Sequence, residues 1–133
     1  MSLKKFILSV IAVFVVIFAF EFIWHGHLLA ETYKATAQFW RGPEAMQKLF
    51  PCALGFQFIF AILFTWIFSR NFENKGLAEG LRFGIYFGLF TGFLQAGIFP
   101  YMPIPASLAL MWFLGSFLET VLIGVTLSLI FKE

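Results

Sequence analysis

Read from the amino terminus, the chain alternates long apolar runs with short polar punctuation. Apolar residues dominate Phe6 to Leu29, Leu49 to Phe68, Leu81 to Phe99 and Ala106 to Phe131. Each run is close to the roughly 20 residues that a helix needs to cross a bilayer's hydrocarbon core. The pattern predicts an all-α fold, an integral membrane four-helix transmembrane bundle forming a single domain over residues 1–133. Between the first two runs, Tyr33, Ala37 and Trp40 recur at helical spacing beside Glu31, Lys34 and Arg41. That spacing predicts an amphipathic helix on the membrane surface over about 31–42, ended by Gly42-Pro43. The link after run three, Pro100 to Pro105, carries no charge, and its three prolines stop one helix and stiffen the turn into the next. Lys4-Lys5 before the first run imitates a signal peptide, but the run's length, its Glu21, His25 and His27, and the lack of a small-x-small site favour a retained span.

Composition sharpens the class. Charged residues make up 12% of the chain and hydrophobic ones 61%, where a soluble domain carries about a quarter charged residues. The mean hydropathy is +0.91. A net charge of +2 does not point to nucleic acid, because the nine Lys and Arg stand singly at run ends. They serve better as topology anchors: Lys4, Lys5, Arg70, Lys75, Arg82 and Lys132 fall on one side, against Lys34, Arg41 and Lys48 on the other. The asymmetry predicts that the N- and C-termini are cytoplasmic. One cysteine, Cys52, excludes an internal disulfide, a CxxC pair and a cysteine-rich metal cage.

Small residues mark where helices can approach. Gly80, Gly84, Gly88 and Gly92 recur every four residues, with Ala96 continuing the row, and Ser116, Thr120, Gly124 and Ser128 form a matching row in the last run. The two rows predict close packing of spans three and four, or a homo-oligomer contact. The 21 phenylalanines read as lipid-facing and packing residues. Trp24, Trp40, Tyr101 and Trp112 are expected in the outer interfacial belt and Trp66 in the inner one.

The candidate chemistry lies in polar residues inside the spans. A charged residue at mid-membrane costs roughly 2.5–3.5 kcal/mol by insertion scales, so each needs a reason. Glu21 lies roughly 12 Å below the outer end of span one at 1.5 Å per residue, and Glu119 lies near the middle of span four. Gln57 and Gln95 add one amide each from spans two and three, and a bundle could gather all of them into a polar centre. His25 follows Glu21 by four residues, on the same helix face. A carboxylate and an imidazole so placed can share a proton or hold a divalent metal ion, with Glu21, His25 and Glu119 as ligands. A structural role is equally open: a satisfied Glu21–His25 pair, and a protonated Glu119 bonded to Gln57 or a hydroxyl. His27 is assigned to the interface and Arg82 to a local pair with Glu79. Leu54-Gly55-Phe56-Gln57 echoes Leu114-Gly115 followed by Glu119, which would suit two related helical hairpins.

No phosphate loop, zinc-protease helix, nucleophile elbow or dinucleotide fingerprint occurs, and both histidines stand on one helix, which disfavours a bis-histidine haem. Trp24-His25-Gly26-His27-Leu28-Leu29, with Tyr33, Thr36-Ala37 and Trp40-Arg41, is similar to small bacterial four-span membrane proteins of unknown function. The resemblance implies a bacterial inner-membrane location and gives weight to His25 and Arg41. The expected function is binding or transport of a small cation, a proton or a divalent metal. The alternatives are a structural or assembly subunit of a larger membrane complex, and a lipid- or quinone-binding protein or enzyme.

Overall fold

Ser2 opens the first helix, its hydroxyl accepting from the Lys5 amide at 3.2 Å and satisfying one of the amides a helix start leaves free. The structure is a computed structural model describing residues 1–132, all-helical throughout. Helix α1 (Leu3–Ile23) continues through a π-helical turn, Trp24–Leu28. Then come α2 (Ala30–Ala35), a 3-10 turn Ala37–Phe39, α3 (Pro43–Arg70), α4 (Leu77–Ala96), a 3-10 turn Phe99–Tyr101, and α5 (Ala106–Phe131). With their continuing turns, α1, α3, α4 and α5 are long and apolar enough to cross a membrane.

Three boundaries stand apart from the hydropathy pattern. Helix α3 starts at Pro43, six residues before the apolar run, because Gly42 is extended and Pro43 occupies the first turn, where its missing amide costs nothing. Glu44 and Lys48 pair at 3.1 Å over that added stretch. The surface helix ends earlier, at Ala35, and Trp40 is already extended. Helix α4 starts at Leu77, after Gly76 takes a φ of 64° that a side chain would strain.

Helices α4 and α5 form the tightest pair, while α1 packs on both α3 and α5. Gly80, Gly84, Gly88 and Gly92 are buried against α5. A Cβ on Gly84 would stand 2.5 Å from Val121 Cα, and one on Gly88 would stand 2.6 Å from Thr120 Oγ1. Without side chains there, the backbones approach until Thr120 Oγ1 donates to the Gly84 carbonyl at 2.9 Å. Gly124 meets the Gly80 backbone in the same way, and Ser116 and Ser128 are buried in the same helix. Gly55 faces open space whereas Gly115 receives the Trp24 indole, so the two Leu-Gly pairs are not equivalent in the fold.

Two apolar clusters fill the bundle. The one at the end bearing both termini holds Val13, Ile17, Ala61, Phe68, Ile123 and Leu127. Lys5 Nζ closes that end, donating to the Phe131 carbonyl at 3.2 Å and so satisfying a free acceptor of the last turn. The second cluster gathers Leu29, Ile104, Leu108 and Ala109 with Trp24, Trp40 and Trp112 around them. These tryptophans are half-buried at the end of the bundle away from the termini. Trp24 Nε1 donates to the Met111 carbonyl at 3.1 Å and Trp40 Nε1 to Thr36 Oγ1 at 2.9 Å, and such internal acceptors let an indole turn inward. Tyr101 and Trp66 remain exposed.

The Asn71–Gly76 link holds a second correction. Glu79 does not pair with Arg82. Its carboxylate is buried and accepts the Glu73 amide at 2.7 Å and the Lys75 amide at 3.0 Å. Arg82 turns instead to Glu73 at 3.3 Å, which Lys75 also contacts. Two backbone donors in a tight turn hold Glu79 more firmly than one mobile guanidinium would.

Candidate functional site

The carboxyls of α1 and α5 lie between the two apolar clusters. On α1, Ile17 belongs to the first cluster and Trp24 borders the second, and Glu21 falls between them. On α5, Ile123 and Ala109 bracket Glu119 in the same way. The Glu119 and Glu21 carboxyl groups lie within hydrogen-bond reach of each other. An ionised carboxylate only accepts, so this contact is a bond only when one of the two carries a proton. Glu119 Oε1 is buried and has no hydrogen-bond partner among the described residues.

From Glu21 the series continues outward. His25 Nε2 stands 3.5 Å from Glu21 Oε2, and His25 Nδ1 stands 2.6 Å from the Tyr33 hydroxyl. Trp112 Nε1 donates to the same hydroxyl at 2.8 Å. The indole can only donate, so the phenolic oxygen accepts from it and its own proton is free for His25 Nδ1. That assignment puts the imidazole proton on Nε2, facing Glu21 Oε2 across 3.5 Å. Burial pushes the Tyr33 phenol above its ordinary value of 10.0, the Trp112 hydrogen bond works against that rise, and the Glu21 charge adds to it. The phenol therefore keeps its proton at neutral pH and remains a donor.

Local structure explains how α1 and α2 meet in this series. The π-helical turn sets the Leu29 amide on the Trp24 carbonyl at 3.0 Å, one residue wider than an α-turn. Such turns re-aim side chains without breaking the helix. Leu29 then folds into the second apolar cluster and carries α2 over the bundle's end, which brings Tyr33 onto His25 with the rings stacked at 5.9 Å between centroids.

A cleft of about 390 Å³ opens beside this series, lined by Glu21, His25, Tyr33 and Trp112 on one side and by Leu94, Gln95 and Ile98 of α4 on the other. No residue of α3 lines it. Helices α3 and α4 meet nearer the opposite end, through Phe64 and Phe68 against Phe83 and Phe87. Gln57 lies elsewhere. It lines a separate hollow of about 300 Å³ between α1 and α3, with Glu21, Phe18 and Phe50. Glu21 thus stands between the two amides, and the four spans do not converge on one polar centre.

The divalent metal expected on Glu21, His25 and Glu119 meets no suitable ligand set. Among the described residues, no group of three His, Cys, Asp or Glu side chains is placed to hold a metal ion. The imidazole spends Nδ1 on Tyr33 and turns Nε2 to Glu21. His27 is exposed, edge-on to Phe22 at 4.8 Å between centroids, and Arg41 is exposed at the end of the surface segment.

Sequence reasoning missed Tyr33 and Trp112 as site residues. Trp112 precedes Glu119 by seven residues, which places both on one helix face, so a signal was present. Tyr33 had none, since only the fold-back of α2 brings it to His25. The chain matches no family model, no curated protein and no solved structure.

Proposed function

We propose that the chain is a multi-pass protein of the bacterial inner membrane, with both termini cytoplasmic, that binds a proton at the Glu21–Glu119 pair and exchanges it with the outer side. The proton site is the cation site of a transport cycle. One observation carries the reading: the succession of neighbouring titratable groups from Glu119 in the middle of α5 through Glu21, 3.5 Å from His25, to His25 and its hydrogen-bonded Tyr33 toward the end of the bundle. Carboxyl, imidazole and phenol are the side chains that pass protons along hydrogen bonds. The opposite half is filled mainly by Val13, Ile17, Ala61, Ile123 and Leu127, and the buried side chains interspersed with them there, Ser9, Thr65 and Ser128, carry hydroxyls rather than acids or bases. The site is accordingly an exchange site with access from one side, rather than a continuous channel. The six-to-three split of basic residues supports the orientation.

Infrared difference spectra recorded through a pH titration test the reading. A buried protonated carboxyl gives its own carbonyl stretch, and that band should fade as pH rises in the native protein and be missing in Glu119→Gln, with Glu21→Gln altering its midpoint. Superimposable spectra for the native protein and both variants would refute proton binding. The polar groups would then be helix-to-helix contacts, as in an assembly subunit.

A further inference from the structure

The cleft beside the carboxyl pair has the chemistry of a site for more than a proton. Its charged and titratable lining consists of Glu21, His25 and Tyr33, with no lysine or arginine. The groups facing Glu21 are Glu119 from α5, His25 from its own helix and, across the two hollows, Gln95 of α4 and Gln57 of α3. None of these brings a permanent positive charge. Once the pair gives up its proton, the carboxylates have an imidazole and amides beside them and no lysine or arginine. Any ligand that carries a phosphate or carboxylate is repelled, and a cation is drawn in.

The remaining walls suit an organic cation better than a hydrated inorganic one. Tyr33 and Trp112 present aromatic surfaces, whose negative faces attract a diffuse positive charge and are most effective away from water. Leu94 and Ile98 close the other side with apolar surface. About 390 Å³ falls within the usual range of small-molecule sites, and no residue of α3 closes the cleft. We infer that the cleft binds a lipophilic organic cation, which takes the place of the proton on the Glu21–Glu119 pair. The inference rests on the proton-exchange reading of the same pair. Charge balances in the exchange: one proton leaves as one monovalent cation arrives.

Tetraphenylphosphonium and tetraphenylborate, nearly identical in shape and opposite in charge, serve as probes with the full-length protein in nanodiscs. Calorimetry should show saturable binding of the phosphonium and none of the borate. Affinity should rise about tenfold per pH unit while one proton is displaced, and titrations in buffers of different ionisation heat should count that proton. Glu21→Gln should weaken binding by at least about 30-fold and remove its pH dependence, because the amide keeps the volume and lacks the charge. Ile98→Trp, at an exposed position lining the cleft, should block the cleft and abolish binding. Equal binding of both probes, or phosphonium binding indifferent to Glu21→Gln and Ile98→Trp, would overturn the proposal. A titrating infrared carboxyl band with no phosphonium binding overturns the organic cation alone, and the absence of that band overturns the proton reading beneath it.

Discussion

Gly84→Ala adds one methyl group at the tightest point between α4 and α5. The new Cβ would stand 2.5 Å from Val121 Cα and 2.6 Å from the Thr120 carbonyl oxygen, both backbone atoms that no rotamer change can move. The helices must therefore part by about an ångström, and forced overpacking of this kind costs about 1–3 kcal/mol. Separation also breaks the Thr120 Oγ1 bond to the Gly84 carbonyl, worth about 0.6 kcal/mol between membrane helices. Set against a gain of up to about 1 kcal/mol from the better helix propensity of alanine, the whole effect is a loss of roughly 0.6–3.6 kcal/mol. Gly55→Ala is the matched control, since nothing lies within 4 Å of its Cβ. There the better helix propensity of alanine gives a gain of at most about 1 kcal/mol, and less where helices persist in the unfolded state. Reversible unfolding in mixed micelles, driven by a denaturing detergent, measures both. The two variants should move in opposite directions. A Gly84→Ala protein within about 0.5 kcal/mol of the native one would show that the helices are not in contact at Gly84.

Two further outcomes follow from the ends of the bundle. Glu73 is held below its ordinary value of 4.5 by its hydrogen bonds to Lys75 and Arg82. Its contribution to the Asn71–Gly76 link is thus fully present above pH 4.5 and lost as pH falls through the lower folded value; hydrogen exchange in the link should rise only in that acid range, and a rise already near about pH 6 would contradict the pairing. Single cysteines at exposed sites in the Cys52→Ser background test the orientation: impermeant reagent applied outside should label Arg41 and Tyr101 positions but not Asn71 or Lys75, and the reverse pattern would invert the topology.

Much about this protein is local, and the amino-acid sequence alone determines it. Hydropathy accumulates residue by residue along one helix, so α5 runs from Ala106 to Phe131 just where the last apolar run lies. The other spans shift by a few residues, where caps rather than hydropathy decide: Pro43 extends α3, and the turn at Gly76 starts α4 early. The four-residue glycine row is likewise a property of one helix, although which helix it meets is not. Partner choice between elements is decided by packing in three dimensions. Glu79 takes two backbone amides instead of Arg82 because the Asn71–Gly76 link curls over it. Trp112 and Trp24 turn inward because acceptors wait there on Tyr33 and Met111. Glu21 and His25 could be paired from their spacing along one helix, but Glu119 and Tyr33 join them through the packing of α5 and the fold-back of α2. A side chain four residues away is fixed by helix geometry, whereas one 98 or 8 residues away is fixed only by how whole helices pack, and that depends on every contact between them at once.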